Sequence, residues 1–324
     1  SPSNTSNKRA RSGMDSGAAR LSDTAQDPGF TRDDEFWYKD GSIVLVAQSV
    51  GFRVYRELLV ERSAVFRDLF SLPQPSDSQR VCGCPVVHLS DTTIALKEFL
   101  AMLLRGKRYD QKSDPALDVL ASRIRLTHKY DVPDLLEDSI RHLQSLYPSD
   151  LAAWDPYVYP WDNQQRCITA VNLARLTGTR TVLPVALYAC CQLPAGTLLA
   201  GAAHQDGSLD TLSEDDLARC MTGKTKLAFM HGASLKTLFH YSADECCGYD
   251  CQLALQDIYN SAKCPLKGYE AGILTSWDDL LEQYSGEDEP FATLCAECVK
   301  AIRMRDKALR NEVWEALSQY ISLD

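Results

Sequence analysis

No run of about 20 continuous apolar residues, the length needed to span a bilayer, occurs among these 324 residues. The nearest approach, TVLPVALYACCQLPAGTLLAGAA at 181–203, is interrupted by Pro184, Gln192 and Pro194, with His204 just beyond it. It reads as a buried helix, a Pro-Gly turn and a second short helix, so no membrane partner is expected. Positive charge is also scarce: 34 Lys and Arg stand against 44 Asp and Glu, a net charge of -10. A nucleic-acid face needs clustered cations to neutralise phosphates. With no basic helix and no zinc-finger spacing of paired cysteines and histidines, no nucleic-acid partner is expected. A phosphate cradle is missing too. TGKTK at 222–226 ends like a P-loop, but Ala218 stands where the first glycine belongs, and EDDLARCM reads as helix where a strand must enter.

What is present is ordinary globular material, 45% apolar and 24% charged, enough for one or two cores of about 150 residues each. No apolar signal segment precedes the 12 cysteines, and four of them form the adjacent pairs Cys190-Cys191 and Cys246-Cys247, which suit a disulfide framework poorly. A reduced chain of the cytoplasm or nucleus is the expectation. Residues 1–33 hold almost no large apolar side chain and are expected to be a disordered tail, with NKRARS at 7–12 a solvated stretch rather than an import signal.

Order is expected from FWYKDGSIVLVA onward. Ile43, Leu45 and Ala47 fall on one face of a strand and Val44 and Val46 on the other, so both faces should be covered. VGFRVYR pairs with it across Gln48-Ser49. RELLVERSAVFRDLF then changes period from two to nearly four, predicting two short helices divided near Ser63, the second capped by its hydroxyl. A loop at 71–84, the strand VVHLS, and a helix capped by Ser90 or Asp91 with Ile94, Phe99, Leu103 and Leu104 on its apolar side come next. Helices at about 115–129 and 133–147 complete an α+β unit, the last opened by Pro133 and stopped by Pro148.

This series resembles a BTB/POZ domain at 34–147. The pieces that carry the likeness are DGSIVLV, FRVYRELLVERSAVFRDLF with its Ser-x-x-Phe, VVHLSD, FLAMLLRGKRYD and LTHKYDVPDLLEDSIRHL. Residues 148–324 resemble the mostly α-helical extension found behind this domain in many fungal proteins, through ARLTGTRTVLPVALYACCQLP, DGSLDTLSEDDLARCMTGKTKL, LCAEC and VWEALSQYISL. The resemblance implies a protein-interaction scaffold without catalysis that forms homodimers through its first helix and the segment before it. Here that interface would use Phe36, Trp37, Val54, Tyr55, Leu58 and Leu59, with internal packing the alternative for these residues. Some family members are substrate adaptors of a cullin ubiquitin ligase and carry an aliphatic-x-Glu element after the Ser-x-x-Phe helix. SLPQPSDSQRVCGC contains no Glu, which weakens the cullin as a partner. A transcription-associated oligomerisation factor is the other alternative.

Catalytic readings fail on residue chemistry. Cys190 and Cys191 lie in the most apolar segment, where burial raises a thiol's pKa, so packing is preferred to a nucleophile paired with His204. Ser213, Asp215 and Asp216 are accounted for as the capped, acidic start of a helix. The C-terminal cysteines are a stronger case. Cys247 and Cys251 stand four apart and Cys295 and Cys298 three apart, spacings that put each pair on one helix face. Two such pairs could supply the four thiolates of a structural zinc, with Cys246, Cys264 and His240 as substitutes and buried thiols as the alternative. The last helix, about 295–318, presents Ile302, Leu309, Val313, Trp314 and Leu317 as a docking stripe. The aromatic stretch at 147–163 is expected to pack across the boundary and hold both halves together.

Overall fold

The computed structural model describes residues 29–72, 79–110, 112, 117–154, 165–242, 248–262, 271–285 and 293–323. The described residues form an α+β structure that opens with β1 (Thr31–Trp37), β2 (Ile43–Ala47) and β3 (Val50–Val54). Helices α1 (Arg56–Arg62) and α2 (Ala64–Ser71) follow, then β4 (Arg80–Val81) and β5 (Cys84–Leu89). The sheet has the order β1-β3-β2-β5-β4, with β2 antiparallel to β3 and parallel to β5. Every residue of β2 is buried, as expected for a central strand apolar on both faces.

Order begins earlier than the composition of residues 1–33 implies. Phe30 is buried, and its ring lies over Gly51, where an added Cβ would fall 2.3 Å from it. The Asp33 carboxylate then accepts from the N–H groups of Glu35 and Phe36 at 2.9 and 2.8 Å and from Lys97 at 3.0 Å. Two side chains that look like tail residues in sequence thus anchor the edge strand.

Ser63 divides the helix pair. Its oxygen accepts from Phe66 N–H at 3.1 Å, while its hydroxyl donates to the carbonyl of Tyr130, far along the chain. Phe66 stacks on the same tyrosine, ring centroids 4.4 Å apart and planes within 9°. The Ser-x-x-Phe pattern is therefore both a helix cap and a two-point grip on the end of a later helix. Leu59, Phe66, Phe70, Leu96 and Phe99 fill the core between sheet and helices.

The helices of the second half-unit are α3 (Thr93–Arg105), α4 (Asp118–Lys129) and α5 (Pro133–Leu146). The cap of α3 is Thr92, whose side chain accepts from Ala95 N–H at 3.3 Å, rather than Ser90 or Asp91. Asp91 instead binds Lys129 and the Tyr130 hydroxyl. Ile94 is 53% exposed; Ala95, Leu96, Phe99, Leu100 and Leu103 make the buried side. Of the expected stripe, Phe99 and Leu103 are buried and Leu104 packs half-buried against the same core, while Ile94 falls off it.

The remaining chain is mostly helical: α6 (Arg166–Thr177), α7 (Leu183–Gln192), α8 (Ala195–Ala200), the hairpin β6 (Ala202–Ala203) and β7 (Leu209–Asp210), then α9 (Glu214–Leu238). It ends in α10 (Tyr249–Ala262), α11 (Asp278–Gln283), α12 (Ala296–Glu315) and α13 (Leu317–Tyr320). Ser213 caps α9 through Asp216 N–H at 3.2 Å, and Lys224 lies inside that helix donating to the Leu193 carbonyl at 2.9 Å. TGKTK thus forms helix, not a phosphate loop.

Helix α4 faces two ways. Leu126 joins the core under the sheet, whereas Leu120, Ala121 and Ile124 join a larger core with α6, α7 and the buried Ile321 near the C-terminus. Trp154 and Trp314, 6.2 Å apart, add to that continuity, and Trp314 donates to the Ser149 carbonyl at 3.1 Å. The rest of the aromatic stretch, 155–163, lies outside the described residues. No helix among the described residues is long and apolar enough to cross a membrane.

Candidate functional site

Three cysteines converge where α10 meets the start of α12. Cys251 is in the first turn of α10, Cys295 occupies the N-cap position of α12, and Cys298 lies in its first turn. Their sulfur atoms all lie within 4.8 Å of one another, and Cys251 Sγ accepts from the backbone N–H of Cys295 at 3.2 Å. Four thiolates around zinc at about 2.3 Å would stand about 3.8 Å apart, so only a small closure separates this cluster from a ligand set. Polarised N–H groups at the start of a helix favour thiolate, and the backbone bond to Cys251 does the same.

The setting is half apolar. Cys251 and Cys298 are buried with Leu235, Leu255, Leu281 and Ile302, while Cys295 is exposed. These three thiols could bind a metal ion. Of the expected set, Cys247 lies outside the described residues, as do the substitutes Cys246 and Cys264. His240 is exposed and is not part of the cluster.

The six residues expected at a dimer interface separate into two groups. Phe36, Val54 and Leu59 are 0% exposed and pack into the core of the chain itself. Successive helical residues point about 100° apart, and α1 turns Leu59 inward and leaves Leu58 40% exposed. Trp37 is half-buried against Phe30 and beneath the guanidinium of Arg32. Tyr55 is half-buried, stacks on Tyr38 at 5.1 Å and donates to Asp40 at 2.8 Å. Leu58 is thus exposed on α1, on the sheet face that carries Leu59, whereas Trp37 packs with Phe30, Val44 and Val46 on the opposite face.

Cys190 and Cys191 are fully buried in α7, and burial pushes the Cys190 thiol well up from its ordinary value. His204 does not face them as a base, because both its ring nitrogens are engaged by carboxylates, those of Asp118 and Asp210. That arrangement was not legible in the sequence, where these residues share no spacing pattern. No family model, curated protein or solved structure matches the chain.

Proposed function

We propose that this chain is a protein-interaction scaffold whose unit at 34–147 is of BTB/POZ type and self-associates along α1 and β1. The observation that carries the reading is the order of elements. A β2–β3 hairpin leads into two helices hinged at Ser63, a strand returns parallel to β2, and three helices follow, the last two connected to the Ser-x-x-Phe pair through Tyr130. Leu58, left exposed on α1, is the apolar contact that a second copy would cover. The action is intracellular and noncatalytic in this reading.

Light scattering at micromolar protein should give about 72 kDa, twice the 36.1 kDa of one chain, and a clean monomer would end the proposal. Leu58→Asp should yield folded monomer, because the side chain is exposed. Leu59→Ala should instead destabilise the unit by about 2 to 5 kcal/mol while leaving the association surface in place.

A cullin adaptor remains the alternative implied by the resemblance. Residues 73–78 of the relevant loop lie outside the described residues, and what weakens a cullin contact is the lack of any Glu in 71–84. Loss of one buried charged contact in an interface costs about 2 kcal/mol or more. A pull-down with a cullin N-terminal domain is expected to show no saturable sub-micromolar binding, and its presence would favour the adaptor.

The convergence of Cys251, Cys295 and Cys298 supports a second component of the reading, a structural zinc held by these three thiolates that ties α12 to α10. Elemental analysis of protein purified without affinity-resin metal should find about one zinc per chain.

A further inference from the structure

The seam between the two halves of the chain has a polar edge whose centre is His204, in the β6–β7 hairpin. Its side chain is only 5% exposed. The Nδ1 atom is 2.7 Å from Asp118 Oδ1, at the start of α4, and Nε2 is 2.7 Å from Asp210 Oδ2, in β7. A carboxylate has no hydrogen to donate, so two such contacts at this length require a proton on each ring nitrogen.

We propose that His204 is held as an imidazolium that fastens α4 to the β6–β7 hairpin, and that loss of its proton releases the fastening as the medium becomes more alkaline. None of the residues proposed for self-association or for metal binding takes part in this fastening.

The groups facing His204 favour the cation. From α4 come Asp118 and Arg125, the latter donating to both oxygens of Asp210 at 2.6 Å. From the hairpin come Asp210 and Asp206, and Asp206 accepts from Thr92 at 2.9 Å and from the Ser208 hydroxyl at 2.7 Å. From α6, Thr169 approaches Nε2 at 3.4 Å. Three carboxylates thus surround two cations. A cavity of about 310 Å³ beside the ring provides a route for water; it is also lined by Lys97, Glu98, Lys107 and Glu35. Lys97 is paired with Asp33 and Glu35, and Lys107 with Glu98, so neither cation is left over to compete with the imidazolium.

The hydrogen bond to Asp210 is the main cause that raises the His204 pKa above its ordinary value, with Asp118 adding to it against the opposing effect of burial. A group whose pKa is raised on folding stabilises fully below its unfolded pKa, and that stabilisation is lost as pH climbs through the folded pKa. The pH window therefore begins near the ordinary histidine value of about 6.5 and extends upward. Across it the closed seam holds one proton more than the open seam. The opening equilibrium should rise roughly tenfold per pH unit within that window and level off above it.

The test is nitrogen-resolved NMR of the full chain with labelled histidine, the His204 signal being identified by its absence in His204→Gln. Both ring nitrogens should stay protonated through neutral pH and deprotonate only well above the ordinary value. Asp118→Asn should bring that transition down while the other histidines keep theirs. Hydrogen exchange at 202–211, corrected for the intrinsic effect of base, should show pH-dependent opening in the wild type and a flat profile in His204→Gln. A His204 ring that loses its proton at or below about 6.5, or wild-type opening that does not change with pH, would overturn the proposal.

Discussion

Changing Cys295 and Cys298 together to Ser is expected to abolish the proposed zinc binding and to lower the stability of the C-terminal helices by more than about 4 kcal/mol, the range in which loss of a metal falls. In modules without a core of their own, a structural zinc contributes on the order of 10 kcal/mol. Here Leu235, Leu255, Leu281 and Ile302 already form an apolar cluster around the thiols, so the loss should be a part of that figure rather than all of it. The effect should also be local. Helix α12 begins at the cluster, and its polar contacts with α9 and α11 lie farther along, Arg305 donating to the Leu238 carbonyl at 3.3 Å and Arg303 to Asp278 at 2.8 Å. Hydrogen exchange should therefore show the first turns of α10 and α12 opening before the sheet. Treating the wild type with a chelator should reproduce the variant's thermal profile. Metal-free wild-type protein with an unchanged profile would leave these thiols as packing groups, in which case the double substitution costs only what placing hydroxyls near a core costs.

The second large effect is expected at a buried ion network between α3 and α4. Arg123 is 2% exposed, and its Nε and Nη2 both donate to Glu98 Oε1, at 2.9 and 2.6 Å. Nη2 also reaches the Lys107 carbonyl at 3.0 Å, and Lys107 Nζ closes the network on Glu98 Oε2 at 2.7 Å. Glu98→Ala would leave a buried guanidinium without its counter-ion, and about 3 to 5 kcal/mol of destabilisation is expected in urea unfolding. Replacing both partners, Glu98→Leu with Arg123→Met, should recover most of that loss, because the desolvation of both charges disappears along with their attraction. The contrast between single and double variants is the decisive reading. A single variant that costs less than about 1 kcal/mol would show that water reaches the guanidinium and screens it.

Sequence reasoning succeeded where the physics is local. Ser63 as a cap, Pro133 at the first turn of α5, Ser213 with three acidic residues at the start of α9, and β2 buried on both faces all follow from spacing and residue chemistry within a few positions. Local signals mislead where several caps compete or where the partner is remote in sequence. Ser90, Asp91 and Thr92 are all competent caps, and the choice fell to Thr92 because Asp91 is drawn to Lys129 and Tyr130. Phe30 and Asp33 looked like tail residues because the surfaces they bind, Gly51 and Lys97, are remote in sequence.

The sequence by itself determined the α+β order, the helix boundaries marked by caps and prolines, and the pairing of Cys295 with Cys298 across a single turn. Only the tertiary structure decided that Leu59 turns inward and Leu58 outward, that Cys251 meets a pair 44 residues away, and that His204 lies between Asp118 and Asp210. The reason is physical. Spacing fixes directions within an element to about 100° per helical residue, but it carries no information on which element comes to rest against it. That is set by the packing of α4 against both cores and of α10 against α12, where apolar burial brings together polar and thiol groups that no local rule connects.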